Sequence, residues 1–269
     1  MQEIALVTSA QNATLKRLRS LKEKKYRQRE NLFLAEGLRI ATEALEAGWI
    51  PEVLLYAAGK GDHPLVRRLA HATLDGRGQV METTPELLSS LTGKDNPQAV
   101  VAAYRPRETR LDDLPAAPRI LVGERIRDPG NLGTLLRAAD ATGTAAFILV
   151  DSSTDPTSFE AVRASMGAFF TVPCVQCGWD EFIDWKQKRG AHLVGAALDP
   201  RARDYRALTY PPPVLILLGN EQAGLPEAYK AACDELAILP MLGKADSLNV
   251  AMAGTVLLYE ALARQHPAG

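Results

Sequence analysis

The feature that most narrows the fold is an alternation in the second half of the chain, where short apolar runs are separated by longer helical patterns. Ile120-Leu121-Val122, Phe147-Ile148-Leu149-Val150, Leu193 to Ala197 and Val214 to Leu218 are apolar at every position. A strand with no polar side is buried on both faces, the pattern of a parallel sheet covered by helices. Helices are expected between these runs. One runs from Asn131 to about Thr142 and is closed by Gly143, one opens at Asp155-Pro156 and passes through Glu160 and Ser165, and one covers 179–188. A closing helix is expected from Leu248 to about Arg264, with a further strand at Phe170-Thr171-Val172 and an apolar segment, left without a type, at Leu236 to Leu239. The class is α/β, with the strand order left open.

The first part shows a weaker version of the same alternation. A long polar helix is expected from about 11 to 29, then strand Leu32-Phe33-Leu34 and a helix near 37–47. Strand Val53 to Tyr56, a helix near 64–72, a strand around Val80, a helix at 85–91 and strand Val100 to Ala103 complete a small α/β unit. Arg105 to Pro118 is rich in proline and charge and has no period. A boundary is therefore expected there, with a first domain over 1–105, a linker over 106–118 and a second domain over 119–269.

Charge divides along the same line. Residues 1–105 hold 15 bases and 12 acids, net +3, whereas 106–269 hold 16 and 20, net −4. Lys16, Arg17, Arg19, Lys22, Lys24, Lys25, Arg27 and Arg29 stand against only Glu23 and Glu30. A charge run is usually a solvated helix face. This one has too few acids to neutralise it, so a footprint for phosphates weighs about as much. Tyr26 is its only aromatic residue, so stacking on bases is not implied.

The chain of 269 residues, 46% apolar and 23% charged, has the composition of a globular protein able to hold a core without a disulfide or metal staple. Three cysteines, an odd number, suit a reducing compartment. Cys174-Val-Gln-Cys177 has no second pair to complete a zinc site, so it is read as structural and no metal is expected. No apolar run approaches the ~18 residues of a membrane span, and the opening Met-Gln-Glu-Ile lacks the features of a signal peptide. A cytoplasmic protein without a membrane partner is the expectation.

Three segments look like chemistry. In Asn131-Leu-Gly133-Thr-Leu-Leu-Arg137, Asn131 stands where a helix N-cap belongs, and Gly133 leaves room beside the guanidinium of Arg137. An ordinary cap with a solvent-facing arginine explains this segment better when it is taken alone. Gly219-Asn220-Glu221-Gln222-Ala223-Gly224 follows the most hydrophobic strand, where two glycines permit close backbone approach to a ligand. It matches neither common phosphate loop, which counts against a kinase-like nucleotidase or a simple dinucleotide enzyme. Leu239-Pro240-Met241-Leu242-Gly243 then leads to Ser247-Leu248-Asn249 at the last helix. Helix capping accounts for Ser247, whereas Asn249 inside an apolar first turn gains little from it.

These segments together resemble the SpoU, or TrmH-type, class of SPOUT RNA methyltransferases. Asn131/Gly133/Arg137, Gly219/Glu221/Gly224 and Pro240/Gly243/Ser247/Leu248/Asn249 correspond in order to that family's three motifs, and Arg163-Ala-Ser165-Met-Gly167 resembles its second helix. Phe33-Leu-Ala-Glu36-Gly37 and Pro97-Gln98-Ala-Val100 resemble its ribosomal-protein-like substrate-binding module, so the likeness spans nearly the whole chain. Leu239, Ala99 and Met166 are small departures that remove no polar group.

The resemblance implies transfer of a methyl group from S-adenosylmethionine to a ribose 2′-hydroxyl of RNA, large-subunit ribosomal RNA ahead of transfer RNA. It also implies a C-terminal trefoil knot and a homodimer. Arg137, Asn131, Glu221, Ser247 and Asn249 are the implied catalytic residues, with Glu221 holding its loop by accepting backbone N–H groups. Leu218, Gly219, Gly224, Leu239, Pro240, Leu248 and Asn249 are the implied cofactor contacts. Lys16, Arg19, Lys22, Lys25, Arg27, Arg29 and Arg39 are the candidate RNA contacts. Arg137 acts either as general base or as a stabiliser of alkoxide charge. A base-methylating relative and a non-catalytic RNA-binding protein are the rival readings.

Overall fold

The computed structural model describes residues 4–93 and 98–266; Pro97 of the resemblance lies outside them, as does the opening Met-Gln-Glu. In chain order the elements of the first part are β1 (Leu6–Val7), α1 (Ala13–Ser20), α2 (Lys24–Glu30), β2 (Phe33–Glu36) and α3 (Leu38–Glu46). Next come β3 (Val53–Ala57), α4 (Pro64–Asp75), β4 (Gln79–Thr83), α5 (Pro85–Thr92) and β5 (Val100–Tyr104). The second part runs β6 (Arg119–Glu124), α6 (Pro129–Ala141), β7 (Phe147–Val150), α7 (Phe159–Ala164), β8 (Cys174–Cys177), α8 (Trp179–Arg189) and β9 (His192–Ala196). It closes with β10 (Arg203–Asp204), β11 (Val214–Leu218), α9 (Glu227–Ala232), β12 (Glu235–Ile238) and α10 (Val250–Gln265). No helix among the described residues is long and apolar enough to cross a membrane.

The chain divides into two compact units. The first comprises residues 1–107 together with 157–171, and the second comprises 108–156 and 172–269. The first is a five-stranded sheet in the order β1-β4-β3-β5-β2, with β2 and β3 antiparallel to β5. Leu15, Leu18 and Leu21 bury one helical stripe against Leu34, Leu55 and Val101 of the sheet. The expected single helix over 11–29 is two helices. The guanidinium of Arg27 turns inward and donates to the carbonyls of Leu21 (2.9 Å) and Lys22 (2.8 Å), satisfying backbone acceptors freed where α1 stops.

Residues 157–171 belong with this first unit, whereas the sequence reading places them in the second domain. The strand expected at Phe170-Thr171-Val172 is absent, and a single 3₁₀ turn covers Ala168–Phe170. Tertiary packing explains the difference. Phe169 sits 5.1 Å from the Phe33 ring and Phe170 5.0 Å from Tyr104, while Trp49 Nε1 donates to the Phe170 carbonyl at 2.9 Å. Burying two large rings outweighs the local preference of a short apolar run for strand.

The second unit holds a seven-stranded sheet, β10-β12-β9-β11-β6-β7-β8, with every adjacent pair parallel. β11 is buried at all five positions, as its continuous apolar run predicts. From β6 the chain moves outward to β7 and β8. It then returns on the far side of β11, so strand order reverses between β6 and β11, with Leu218 paired to Gly123. Loops at the carboxyl ends of strands diverge at such a reversal and leave a crevice.

Candidate active site

The crevice is built from three loops. After β6 the chain turns through Arg125 to Asp128 into α6. Pro129 fills the first helical position and Asp128 is the N-cap, its Oδ1 accepting from Asn131 N at 2.7 Å. Asn131 is therefore not the cap expected of it, and its carboxamide is free to reach across the crevice. After β11, Asn220 shapes the loop by accepting from Gln222 N (3.1 Å) and Ala223 N (3.0 Å) and donating to Arg125 O (2.9 Å). Glycine is required at 219, where a Cβ would lie 2.6 Å from both Gly224 C and Leu225 N. After β12 the chain leads to α10. Its cap is Asn249, not Ser247: Asn249 Oδ1 accepts from Ala251 N (2.9 Å) and Met252 N (3.4 Å). The helix accordingly begins at Val250, two residues later than the sequence pattern implies.

Side-chain hydrogen bonds tie the three loops together. Asn249 Nδ2 donates to Asn131 Oδ1 at 2.9 Å, and Asn131 Nδ2 donates to Glu221 Oε1 at 3.2 Å. Glu221 also accepts from the backbone N–H of Arg127 (3.3 Å) and Asp128 (3.4 Å). It thus fastens the turn before α6, whereas the expectation was that it holds its own loop; Asn220 does that. The directions along the relay follow from the fixed acceptor at its end: a carboxylate can only accept, which sets which end of each carboxamide points where.

The loops enclose a cavity of about 560 Å³. Leu218, Gly219, Gly224, Leu239, Leu248 and Asn249 line it, together with Asn131, Glu221 and Ser247. Pro240 does not, although its neighbours Leu239 and Met241 do. Arg137 is also outside the lining. It is exposed on α6 with no hydrogen-bond or ion-pair partner among the described residues.

Two contributors escaped the sequence reading. Glu124 is fully buried at the end of β6, bonded to Arg125 Nε and accepting from Asn220 N at 3.2 Å. Lys230 lines the cavity and bonds Asp199 at 3.0 Å and Glu227 at 3.0 Å, which raises its affinity for its proton. Asp199 is held well below the usual carboxylate range, chiefly by Arg201 and also by Lys230. Neither Glu124 nor Lys230 sits in a motif; only the strand-end position of Glu124 marked it.

The basic segment of the first unit divides once its partners are known. Arg27 is buried and committed to backbone carbonyls, so it is not a phosphate contact as expected. Arg19 donates to Ser90 Oγ (3.1 Å) and Lys22 to the Ser90 carbonyl (3.3 Å). Lys25 pairs with Glu23 (2.9 Å), Arg29 with Glu30 (2.8 Å) and Arg39 with Glu43 (2.7 Å), all at exposed sites where such pairs are weak. Lys16 and Lys24 are exposed with no partner among the described residues. Elsewhere in this unit Gln98 N donates to Glu36 Oε1 at 3.0 Å, joining two segments that the resemblance quoted separately.

Cys174 and Cys177 are free thiols, each pushed up to about 12 by burial. No cluster of three or more metal-ligating side chains occurs among the described residues.

A parallel α/β sheet with a cavity at its point of strand reversal, walled by backbone and leucines and rimmed by carboxamides, defines a small-molecule site of the cofactor-binding kind. Residues 118–259 match the SpoU rRNA Methylase family and residues 12–102 the MRM3-like substrate binding domain, and the chain belongs to the SpoU family. It is 34% identical to a 23S rRNA (uridine(2479)-2′-O)-methyltransferase of Streptomyces viridochromogenes, over 90% of this chain and 86% of that one. It is 30% identical to the 23S rRNA (guanosine(2553)-2′-O)-methyltransferase RlmP of Bacillus subtilis, over 94% and 97%. Among solved structures, an AdoMet-bound rRNA methyltransferase from Sinorhizobium meliloti superposes with a TM-score of 0.91 at 39% identity, covering 99% of each chain.

Proposed function

We propose that this protein methylates a ribose 2′-hydroxyl of large-subunit ribosomal RNA with S-adenosylmethionine as donor. The observation that carries the reading is the Asn249–Asn131–Glu221 relay, which fastens three loops separated in sequence around one cavity. The residues present suit that donor. Leu218, Leu225, Ile238, Leu239 and Leu248 offer apolar walls, and Gly219 and Gly224 bring bare backbone to the same space. Bound there, the donor supplies a methyl group made electrophilic by its sulfonium. The leucines offer apolar contact to the donor, and the locked carboxamides of Asn131 and Asn249, with Ser247, orient the incoming ribose. Arg137 stabilises developing alkoxide charge or grips a neighbouring phosphate. The proton of the hydroxyl passes to water or to an oxygen of that phosphate as the new carbon–oxygen bond forms.

Homodimerisation belongs to the same proposal and is supported by exposed Met252 and Tyr259 on α10. So do the trefoil knot implied by the family and action in the cytoplasm. The test is to incubate the protein with methyl-labelled donor and unmodified 23S rRNA, then digest the RNA to nucleosides. Label in a 2′-O-methyl nucleoside is expected; label in a methylated base, or none in 23S rRNA while a parallel incubation labels transfer RNA, overturns the reading.

A further inference from the structure

The first unit contains a second concavity, of about 600 Å³, with no residue of α2 or α3, where most of the expected RNA contacts lie, among its described lining. Trp49, Ile50, Glu52, Arg77, Arg105 and Arg107 line it. Its floor is tightly built. The turn Gly76-Arg77-Gly78 lies against residues 50–52 so closely that a Cβ at 78 would meet the Pro51 carbonyl oxygen at 2.7 Å, and one at 76 would meet Ile50 Cγ2 at 2.7 Å. Arg77 takes a left-handed conformation, φ 61°, between those glycines. It is exposed, with no partner among the described residues. The Arg107 guanidinium lies 4.2 Å from the Trp49 ring centroid and donates to the Gly48 carbonyl at 2.7 Å. That fixes the plane of one face and leaves its remaining N–H groups for a ligand.

Glu52 is the only carboxylate among the described residues of the lining, and it serves two guanidiniums, Arg105 at 2.5 Å and Arg17 at 3.3 Å, the latter also paired with Glu30 at 2.8 Å. Three lining arginines against one acid leave the cleft positive. Through Arg17 it is continuous with α1, where Lys16 is exposed and unpartnered among the described residues. The geometry points to a binding cleft for the phosphodiester backbone of an RNA strand, in which Arg77, Arg105 and Arg107 present guanidinium forks to successive phosphates. This rests on the proposal that RNA is the substrate. It moves the main contact from the exposed ion pairs of α2 and α3 to a cleft whose arginines are under-neutralised.

The test compares the full-length protein with Arg77→Glu/Arg105→Gln and, as a charge-loss control in the other unit, Lys188→Gln. The probes are in-vitro-transcribed 23S rRNA and a fluorescein-labelled 15-mer of poly(U), titrated across a salt series. The double variant is expected to melt within a degree of wild type and to bind both RNAs on the order of tenfold more weakly. The slope of log affinity against log salt should shrink by about 1–2, at roughly 0.7 for each single-strand phosphate that the variant no longer neutralises. Arg77→Lys keeps the charge and loses the fork, so it should keep the wild-type salt slope with an affinity between wild type and the double variant, while Lys188→Gln should stay near wild type in both. Equal affinity and slope for wild type and double variant overturn the cleft while leaving the RNA reading intact. A wild type that binds neither RNA overturns both. Displacement of poly(U) by poly-glutamate at lower charge concentration than by unlabelled poly(U) identifies an acidic-protein site and overturns the inference.

Discussion

Asn249 performs two jobs that one substitution removes together and another separates. It caps α10 through Oδ1 and fastens Asn131 through Nδ2. Asn249→Ala removes both. Loss of the cap costs about 1 kcal/mol. Loss of the exposed cross-loop bond adds about 0.5 kcal/mol, the low end for a hydrogen bond. Together these are worth a fall in melting temperature of about 3–6 °C for a chain of this size. Asn249→Asp keeps the capping oxygen, and aspartate caps about as well as asparagine, so melting should change by less than about 2 °C. A carboxylate cannot donate to Asn131 Oδ1. Asn131 can answer it only by turning its amide round, which then points its oxygen at Glu221. The conflict is passed down the relay and loosens the cavity wall. Loss of fixed geometry at a reacting centre costs rate steeply, so methyl transfer by Asn249→Asp should fall by about ten- to a hundredfold. Differential scanning fluorimetry and initial rates with labelled donor read the two effects. Wild-type transfer by Asn249→Asp refutes the relay as a positioning device. Equal melting of the Ala and Asp variants refutes the capping argument.

Three further outcomes are expected. Arg137→Ala should abolish methyl transfer while donor affinity by calorimetry stays within about twofold, because Arg137 does not line the cavity; Arg137→Lys separates charge from fork geometry. Gly219→Ala drives a Cβ to 2.6 Å from Gly224 and Leu225 backbone atoms, so the loop must refold and donor affinity should drop at least about tenfold, again by calorimetry. Burial pushes the thiols of Cys174, Cys177 and Cys233 up to about 12, against ~8.5 for an unfolded thiol. The unfolded chain releases those protons first, so stability is full below pH ~8.5 and declines as pH rises from there toward 12. Urea midpoints that hold constant from pH 8 to 10.5, or rapid native-state labelling by a disulfide reagent at pH 8, contradict that burial.

The sheet of the second unit was legible because β11 and β7 are apolar at every position and alternate with longer helical patterns, as strands buried on both faces do. Caps were harder. Asp128 and Asn131 are both cap-forming residues within one turn, and the deciding clue was Pro129, which favours the first helical position and so points to Asp128. At the last helix Ser247 and Asn249 compete in the same way; Asn249 caps, and its second bond, to Asn131, is a long-range contact no local pattern contains. Arg27 illustrates the opposite limit. A guanidinium in a charge run carries no sign that it will turn inward to satisfy the end of α1. The motif residues Asn131, Glu221, Ser247 and Asn249 were legible as a group and do meet at one cavity, whereas Arg137 and Pro240 were grouped with them and lie outside its lining. Lys230 was invisible and Glu124 was marked only by its place at a strand end, because their importance comes from the loops folded over them.

The assignment of residues 157–171 to the first unit means that the polypeptide passes between units three times, at 107/108, 156/157 and 171/172. A fragment that stops at Arg107 would keep Phe33, Trp49 and Tyr104 but forfeit the two phenylalanines that seal them, and rings of that size each hide roughly 150–250 Å² from water. Gene fusions that graft the N-terminal half onto another catalytic partner would therefore inherit a sticky wound rather than a portable recognition module. Evolution could exchange the two halves only by carrying this fifteen-residue excursion along with them.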